Sequence, residues 1–525
     1  MKNIFVAILL LCSGVAHAQH NTLLSPAFWQ GKPDVAAIKA EVEKGNNPSQ
    51  LNGSSFDPVV MAINADASVE SIKYLLAQPG NDVGKTTHDS RNYLHWAANK
   101  GNAEVMEYLV SKGAKIDNED SHGATPLLFA AGSGQQNIKV YDLLIASGAN
   151  LKTSLNADGA NAMLLAIAND PELVLTTYFI SKGLDLNSTD ASGNNAFSYA
   201  AKSGNIELLK KLLQKGVKPG QNAMLMAAQG SRRGANTLEL YQYLESLKLK
   251  PNVTGKNGEN VLHAIVRKPK QNEVISYFLS KGVDVNQADE DGNTVLMNAA
   301  ASARDTAVLG MILAKAKNIN GVNEKGMSAL TMAVRSNSPE VISYLINKGS
   351  AVKVLDKNGN NLAYYAVESY RSPGGQGGPG GQMPAGGPRP GGAAPAGAAT
   401  GGQNFNGPKP EDFDTKISIL KKEGLDVAAA QENGNKLYHF AVAKNDLSLL
   451  KRMNSLGLDV NAANKDGLTP LHKAAMIAKD DSIMKYLLSI GAKKDSVTNF
   501  KETAFDLATE NETLSQNNIS VTFLK

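Results

Sequence analysis

Along most of this chain, apolar residues cluster in short runs with helical spacing, and the runs come in pairs. The first run of a pair opens on a small polar residue and closes on alanines. Examples are Asn92-Tyr93-Leu94-His95-Trp96-Ala97-Ala98, Thr125-Pro126-Leu127-Leu128-Phe129-Ala130-Ala131 and Thr469-Pro470-Leu471-His472-Lys473-Ala474-Ala475. Thr or Asn in the opening position can accept a hydrogen bond from an exposed helix amide, and Pro suits the first helical turn. Leu and the paired alanines make a slim apolar face. The second run is a longer helix ending near glycine, as in Val105-Met106-Glu107-Tyr108-Leu109-Val110-Ser111-Lys112-Gly113. Glycine there supplies the left-handed residue that ends a helix. Polar stretches between pairs, such as Val283 to Gly292, predict an extended segment and a tight turn.

Fourteen such starts fall near Ser25, Asp57, Asn92, Thr125, Asn161, Asn195, Asn222, Asn260, Thr294, Ser328, Asn360, Asn435, Thr469 and Thr503. Setting aside residues 1–18 and 373–410, the mean period is about 33.5 residues, matching a known helical repeat of about 33. The chain therefore resembles the ankyrin repeat family, with its T-P-L-H-x-A-A helix, L-L-x-x-G-A helix end and D-x-x-G turn. The resemblance implies an all-α repeat solenoid of about fourteen stacked ankyrin repeats, each two helices and a β-hairpin loop. It also implies protein partners bound through hairpin tips and a concave groove. Spacing shortens between Asn195 and Asn222, so the turn near Lys218-Pro219-Gly220 is expected to be truncated. The first and last copies are degenerate, as befits terminal repeats that meet water.

Two segments break the pattern. Lys2, the apolar run Ile4–Leu11 and small residues Ala16 and Ala18 read as a secretory signal (1–18), cleaved before Gln19. The run is too short for a bilayer span. Residues 373–410 hold 14 Gly and 8 Pro and are expected to be disordered. The expected organisation is thus signal 1–18, repeats 19–372, insert 373–410 and repeats 411–525. The insert separates a first helix (Leu362 to Ser369) from a second helix (Phe413 to Glu423), so it enlarges the loop inside one repeat. Its end-to-end spread would be roughly 34 Å.

Composition narrows the function. The chain has 525 residues, 42% apolar, with 53 Lys and Arg against 49 Asp and Glu. That balance argues against a surface devoted to nucleic acid. One cysteine, Cys12, excludes a disulfide framework and a thiolate metal site. An exported, cysteine-free mature chain points to the periplasm, with release from the cell as the second option.

Near misses in chemistry have structural explanations. His95, His263 and His472 occupy the fourth position of the T-P-L-H motif, and the resemblance implies that they bond between repeats. His20, His88, His122 and His439 show no metal-ligand spacing. Gly80 to Thr86 has three residues between its glycines where a phosphate loop needs four. Asp289-Glu290-Asp291-Gly292 lacks a calcium loop's closing Glu. No cofactor, metal or catalytic set is expected.

Two stripes remain. Trp29, Met61, Trp96, Phe129, Leu165, Tyr199 and Met226 share the fifth position of first helices and read as packing between repeats. Lys202, Arg232, Arg267, Arg304, Arg335 and Arg371 place cations where six consecutive first helices end. Cations stabilise helix C-termini, but the stripe is also the candidate partner-binding set. Lys202, Arg267 and Arg335 share one slot on alternate repeats, roughly 20 Å apart for helices about 10 Å apart. The expected function is a monomeric, non-catalytic protein-binding scaffold of the cell envelope. The alternative is a binder of anionic polymer or envelope glycan through this stripe.

Overall fold

The computed structural model describes residues 21–231, 234–372 and 412–525. The signal (1–18), the insert (373–410) and Arg232 lie outside them. The described residues form two compact units, one within residues 21–186 and the other within 187–525. Each is built from helix pairs; the isolated β-bridges lie in the second unit, and no strand forms among the described residues. No helix among them is long and apolar enough to cross a membrane.

The first unit holds five first helices, starting with Pro26–Gln30, Pro58–Asn64, Tyr93–Lys100, Pro126–Ser133 and Ala162–Ala166. Four of their five caps act as the sequence predicts, Ser25 being the exception: Asp57 Oδ1 accepts from the Val60 amide at 2.9 Å, and Asn161 Oδ1 from the Leu164 amide at 3.0 Å. Ala97, Ala98, Ala130 and Ala131 are fully buried, together with Leu94, Leu127 and the second-helix residues Val105 and Leu109. Burial of each large apolar side chain contributes roughly 1.5–3 kcal/mol, and neighbouring repeats share that core.

The second unit continues with nine first helices, from Ala196–Ala201 to Ala504–Glu510. Two caps of this unit, Asn222 and Lys436, make no side-chain cap bond, and Asn222 donates instead to the Ser192 carbonyl at 3.4 Å. The hairpin before it is the truncated one; bridges Thr189↔Asn195 and Thr254↔Asn260 flank it, and none forms at Lys218–Gly220.

Two expected starts move by one residue. Asn361 caps Leu362–Glu368, since Asn360 is held by Asp356 and by the Glu432 amide. Lys436 precedes Leu437–Ala443, since the Asn435 side chain is bonded to the Glu432 carbonyl and to Asn464. Leu362–Glu368 packs against Asp412–Lys422 as a helix pair, with Tyr370 and Phe413 ring centroids 5.7 Å apart.

Candidate protein-binding surface

Each hairpin tip is a five-residue turn opened by Asp or Asn in most repeats. The opening side chain accepts from the amides two and four residues on: Asp190 Oδ1 from Ser192 and Asn194, at 2.8 and 2.9 Å, and Asn323 Oδ1 from Lys325 and Met327, at 3.0 and 2.9 Å. Asp289 of the calcium-like stretch does the same toward Asp291 and Asn293. This is why short polar acceptors are required there.

Successive tips are then tied by backbone. Within the second unit, the Glu324 amide donates to the Asp291 carbonyl at 2.9 Å, and the Lys357 amide to the Lys325 carbonyl at 3.0 Å. Gly292 and Gly326 sit at positive φ, and a Cβ on either would stand within 2.8 Å of the next tip's amide nitrogen. Glycine there serves both the turn and the ladder.

The fifth-position stripe is buried as expected at Trp29, Trp96, Phe129, Tyr199 and Met226, with Met61 and Leu165 half-buried. It also braces the tips. Trp96 Nε1 donates to Thr87 Oγ1 at 2.8 Å, Tyr199 Oη to Asp190 at 2.9 Å, and Tyr365 Oη to Asp356 at 2.6 Å. Each bond runs from a first helix to the opening residue of its own hairpin.

On this rigid edge stand apolar side chains that sequence reasoning passed over. They occupy the residue just before the tip: Leu155 in the first unit, and Val322 (55% exposed), Leu355 (62%) and Val497 in the second. Phe500, on the last tip, is 82% exposed. The available signal was an apolar residue directly before the turn-opening Asn323, Asp356 or Thr498.

The basic stripe is uneven. Arg267, Arg304 and Arg371 are exposed. Arg335 Nε lies 3.3 Å from Glu368, which occupies the same slot in the next repeat, so its charge is matched. Lys202 is half-buried over the Tyr199 ring. Arg232 lies outside the described residues.

His95, His263 and His472 reach across to the next repeat, with Nε2 at 3.0 Å from the Ala124 carbonyl, 3.1 Å from Asn293 and 2.9 Å from Ser496. His439 belongs with them, at 2.8 Å from the Leu468 carbonyl. The one-residue shift of the cap to Lys436 places it in the motif's fourth position. In His263, His439 and His472 the Nδ1 atom accepts the cap's own backbone amide, so the ring is held neutral with its proton on Nε2. Burial lowers all four pKa values, that of His95 to about 4.

His88 and His122, from consecutive repeats, both approach Asp89 Oδ2 at 3.5 Å. Among the described residues, no group of three His, Cys, Asp or Glu side chains is arranged to hold a metal ion. The phosphate-loop lysine is engaged inside the fold: Lys85 Nζ is 2.7 Å from the fully buried Asp57 and 2.8 Å from the Ser49 carbonyl.

Comparison with known proteins decides the family. The ankyrin repeat model (three copies) matches residues 59–154, 137–223, 224–320, 300–373 and 438–522. The chain belongs to the ankyrin repeat family. It is 27% identical over 155 residues to an L-asparaginase of Dirofilaria immitis, covering 30% of this chain and 25% of that one. A putative ankyrin repeat protein L271 of Acanthamoeba polyphaga mimivirus is 26% identical over 153 residues, covering 26% and 21%. The RelA-associated inhibitor of Mus musculus is 24% identical over 133 residues, covering 25% and 16%. The chain thus spans a quarter or less of the length of these relatives. Ankyrin repeats form protein–protein interaction scaffolds, and the tip ladder described above is that architecture's exposed edge.

Proposed function

We propose that the protein is a non-catalytic scaffold of the cell envelope that holds a protein partner against its hairpin edge and first-helix face. The observation that carries this reading is the pair Val322 and Leu355. They are exposed apolar side chains in adjacent repeats, on tips tied together by backbone hydrogen bonds. Apolar groups displayed on a rigid ladder suit a partner segment that covers them. Export rests on the signal-like pattern of residues 1–18, with the periplasm as the compartment.

The rival reading, an anionic polymer or glycan on the first-helix cations, draws on exposed Arg267, Arg304 and Arg371. The pairing of Arg335 with Glu368 weakens it. Affinity purification of a C-terminally tagged chain, with mass spectrometry, separates the two. The scaffold reading expects one dominant exported protein, lost on Val322→Asp with Leu355→Asp and retained on Arg267→Glu. Recovery of no specific protein, or loss only on Arg267→Glu, overturns it. The intact mass of the purified chain tests export, with a mature N-terminus expected at Gln19.

A further inference from the structure

The second unit has another edge, formed by the loops that leave its second helices. Lys215 ends Ile206–Gln214, Lys248 follows Leu247 at the end of Leu238–Ser246, and Lys315 follows Ala314 at the end of Thr306–Leu313. Two or three residues later come Lys218, Lys250 and Lys317. These six side chains are exposed, and among the described residues none of them forms an ion pair. In the repeat between them, Lys281 stands in the same row with its charge matched by Glu245 at 2.6 Å.

The row is held in place. Asn286 brackets the next repeat's loop, donating to the Lys315 carbonyl at 3.2 Å and accepting from the Lys317 amide at 2.7 Å. Asn320 does the same to Gly349 and Ala351 one repeat on, and Asn461 to Gly491 and Lys493. Within the row, the backbones of Lys315 and Lys317 are therefore tied to the preceding repeat, while their side chains stand exposed.

Charge across the chain follows the same division. Residues 21–186 hold 12 Lys and Arg against 18 Asp and Glu, whereas residues 187–525 hold 40 against 31. With helices about 10 Å apart, the row from Lys215 to Lys317 extends roughly 30 Å. The ends of the row are thus separated by more than the Debye length of ~10 Å at 0.1 M salt, whereas the two lysines of one loop act together.

We propose that this lysine edge docks the protein peripherally on an anionic phospholipid surface. Every cation of the row is lysine, a hydrated point charge on a flexible stem, and no arginine fork stands among them to read a fixed phosphate geometry. Such a row fits a fluid array of anionic headgroups that rearranges to meet it. The row lies where the second helices end, on the loops that lead into the hairpins, and the exposed apolar residues Val322 and Leu355 stand next to the tips themselves.

The test is co-sedimentation of the mature chain with vesicles of phosphatidylcholine containing phosphatidylglycerol, against pure phosphatidylcholine. Binding is expected only to the anionic vesicles, falling about tenfold or more between 50 and 300 mM salt. At about fivefold per lysine, the quadruple change Lys248→Glu, Lys250→Glu, Lys315→Glu and Lys317→Glu should lower affinity at least about 100-fold. The matching Gln variants, checked for an unchanged thermal melt, should lose affinity to a smaller extent. Arg267→Glu should leave binding unchanged. Equal binding to neutral vesicles, no binding to anionic ones, full binding by the quadruple variant, or capture of polyphosphate without vesicles would each overturn the proposal.

Discussion

Each unit buries one cation, and the two are treated differently. Arg91 of the first unit is fully buried. Its guanidinium meets Asp120 at 2.8 and 2.9 Å and Asp89 at 3.1 Å, and lies 4.2 Å from the Phe129 ring centroid. Lys416 of the second unit is equally buried, but its ammonium has three protons and, among the described residues, one hydrogen bond, 2.8 Å to the Val334 carbonyl. Burial pushes its pKa down to about 8. Arg91 is matched in charge by two carboxylates and packed against aromatic rings, although its Nη2 meets Asp120 as an ion pair without a well-aligned hydrogen bond. Lys416 is tolerated for its packing while its charge opposes the fold.

Breaking the matched site should have the larger effect. Arg91→Ala leaves Asp120 buried without its cation and should cost about 3–5 kcal/mol. Both tryptophans, Trp29 and Trp96, lie in the first unit, so tryptophan fluorescence during urea unfolding should report the loss directly. An unchanged midpoint would mean that the cluster is dispensable.

Acid should act next. Burial lowers the pKa of all four bridging histidines below the ordinary 6.5. Below pH 6.5 the unfolded chain takes up protons that the folded chain refuses, so stability falls as pH falls, down to each folded-state pKa. For His95, at about 4, the loss by pH 5 is about 2 kcal/mol. Equilibrium unfolding at pH 7, 6 and 5 measures it, and His95→Gln should flatten the part read by tryptophan.

The smallest effect has the opposite sign. Lys416→Met should stabilise the second unit by about 1–2 kcal/mol at neutral pH, the relief of charge burial exceeding the lost carbonyl bond. In the native chain, stability should rise between pH 8 and about 10.5, where the folded lysine is neutral and the unfolded one still charged. That rise should vanish in the variant. Circular dichroism melts at pH 7 and 10 measure both effects.

Much of the fold was legible because each repeat slot has a single mechanical task. The caps and paired alanines followed from local chemistry, as did the truncated turn before Asn222, and the role of the fourth-position histidines followed from the family resemblance. His439 was missed because the start was placed at Asn435, whose side chain the hairpin uses. Arg91, Lys416 and the Asn286 bracket were not legible, since their partners come from other repeats, from 29 residues away for Asp120 to 82 for Val334. The binding surface was half legible. Its cations could be placed, but Glu368 opposite Arg335 and the exposure of Val322 and Leu355 depend on how repeats stack.

The proposed partner contact lies at the hairpin edge. A photo-crosslinking residue placed in living cells at Leu355, and in separate variants at Arg267 and Lys317, tests it most directly. One discrete protein adduct is expected from Leu355 and a weaker one or none from Lys317. Adducts from Lys317 or Arg267 with none from Leu355 would contradict it.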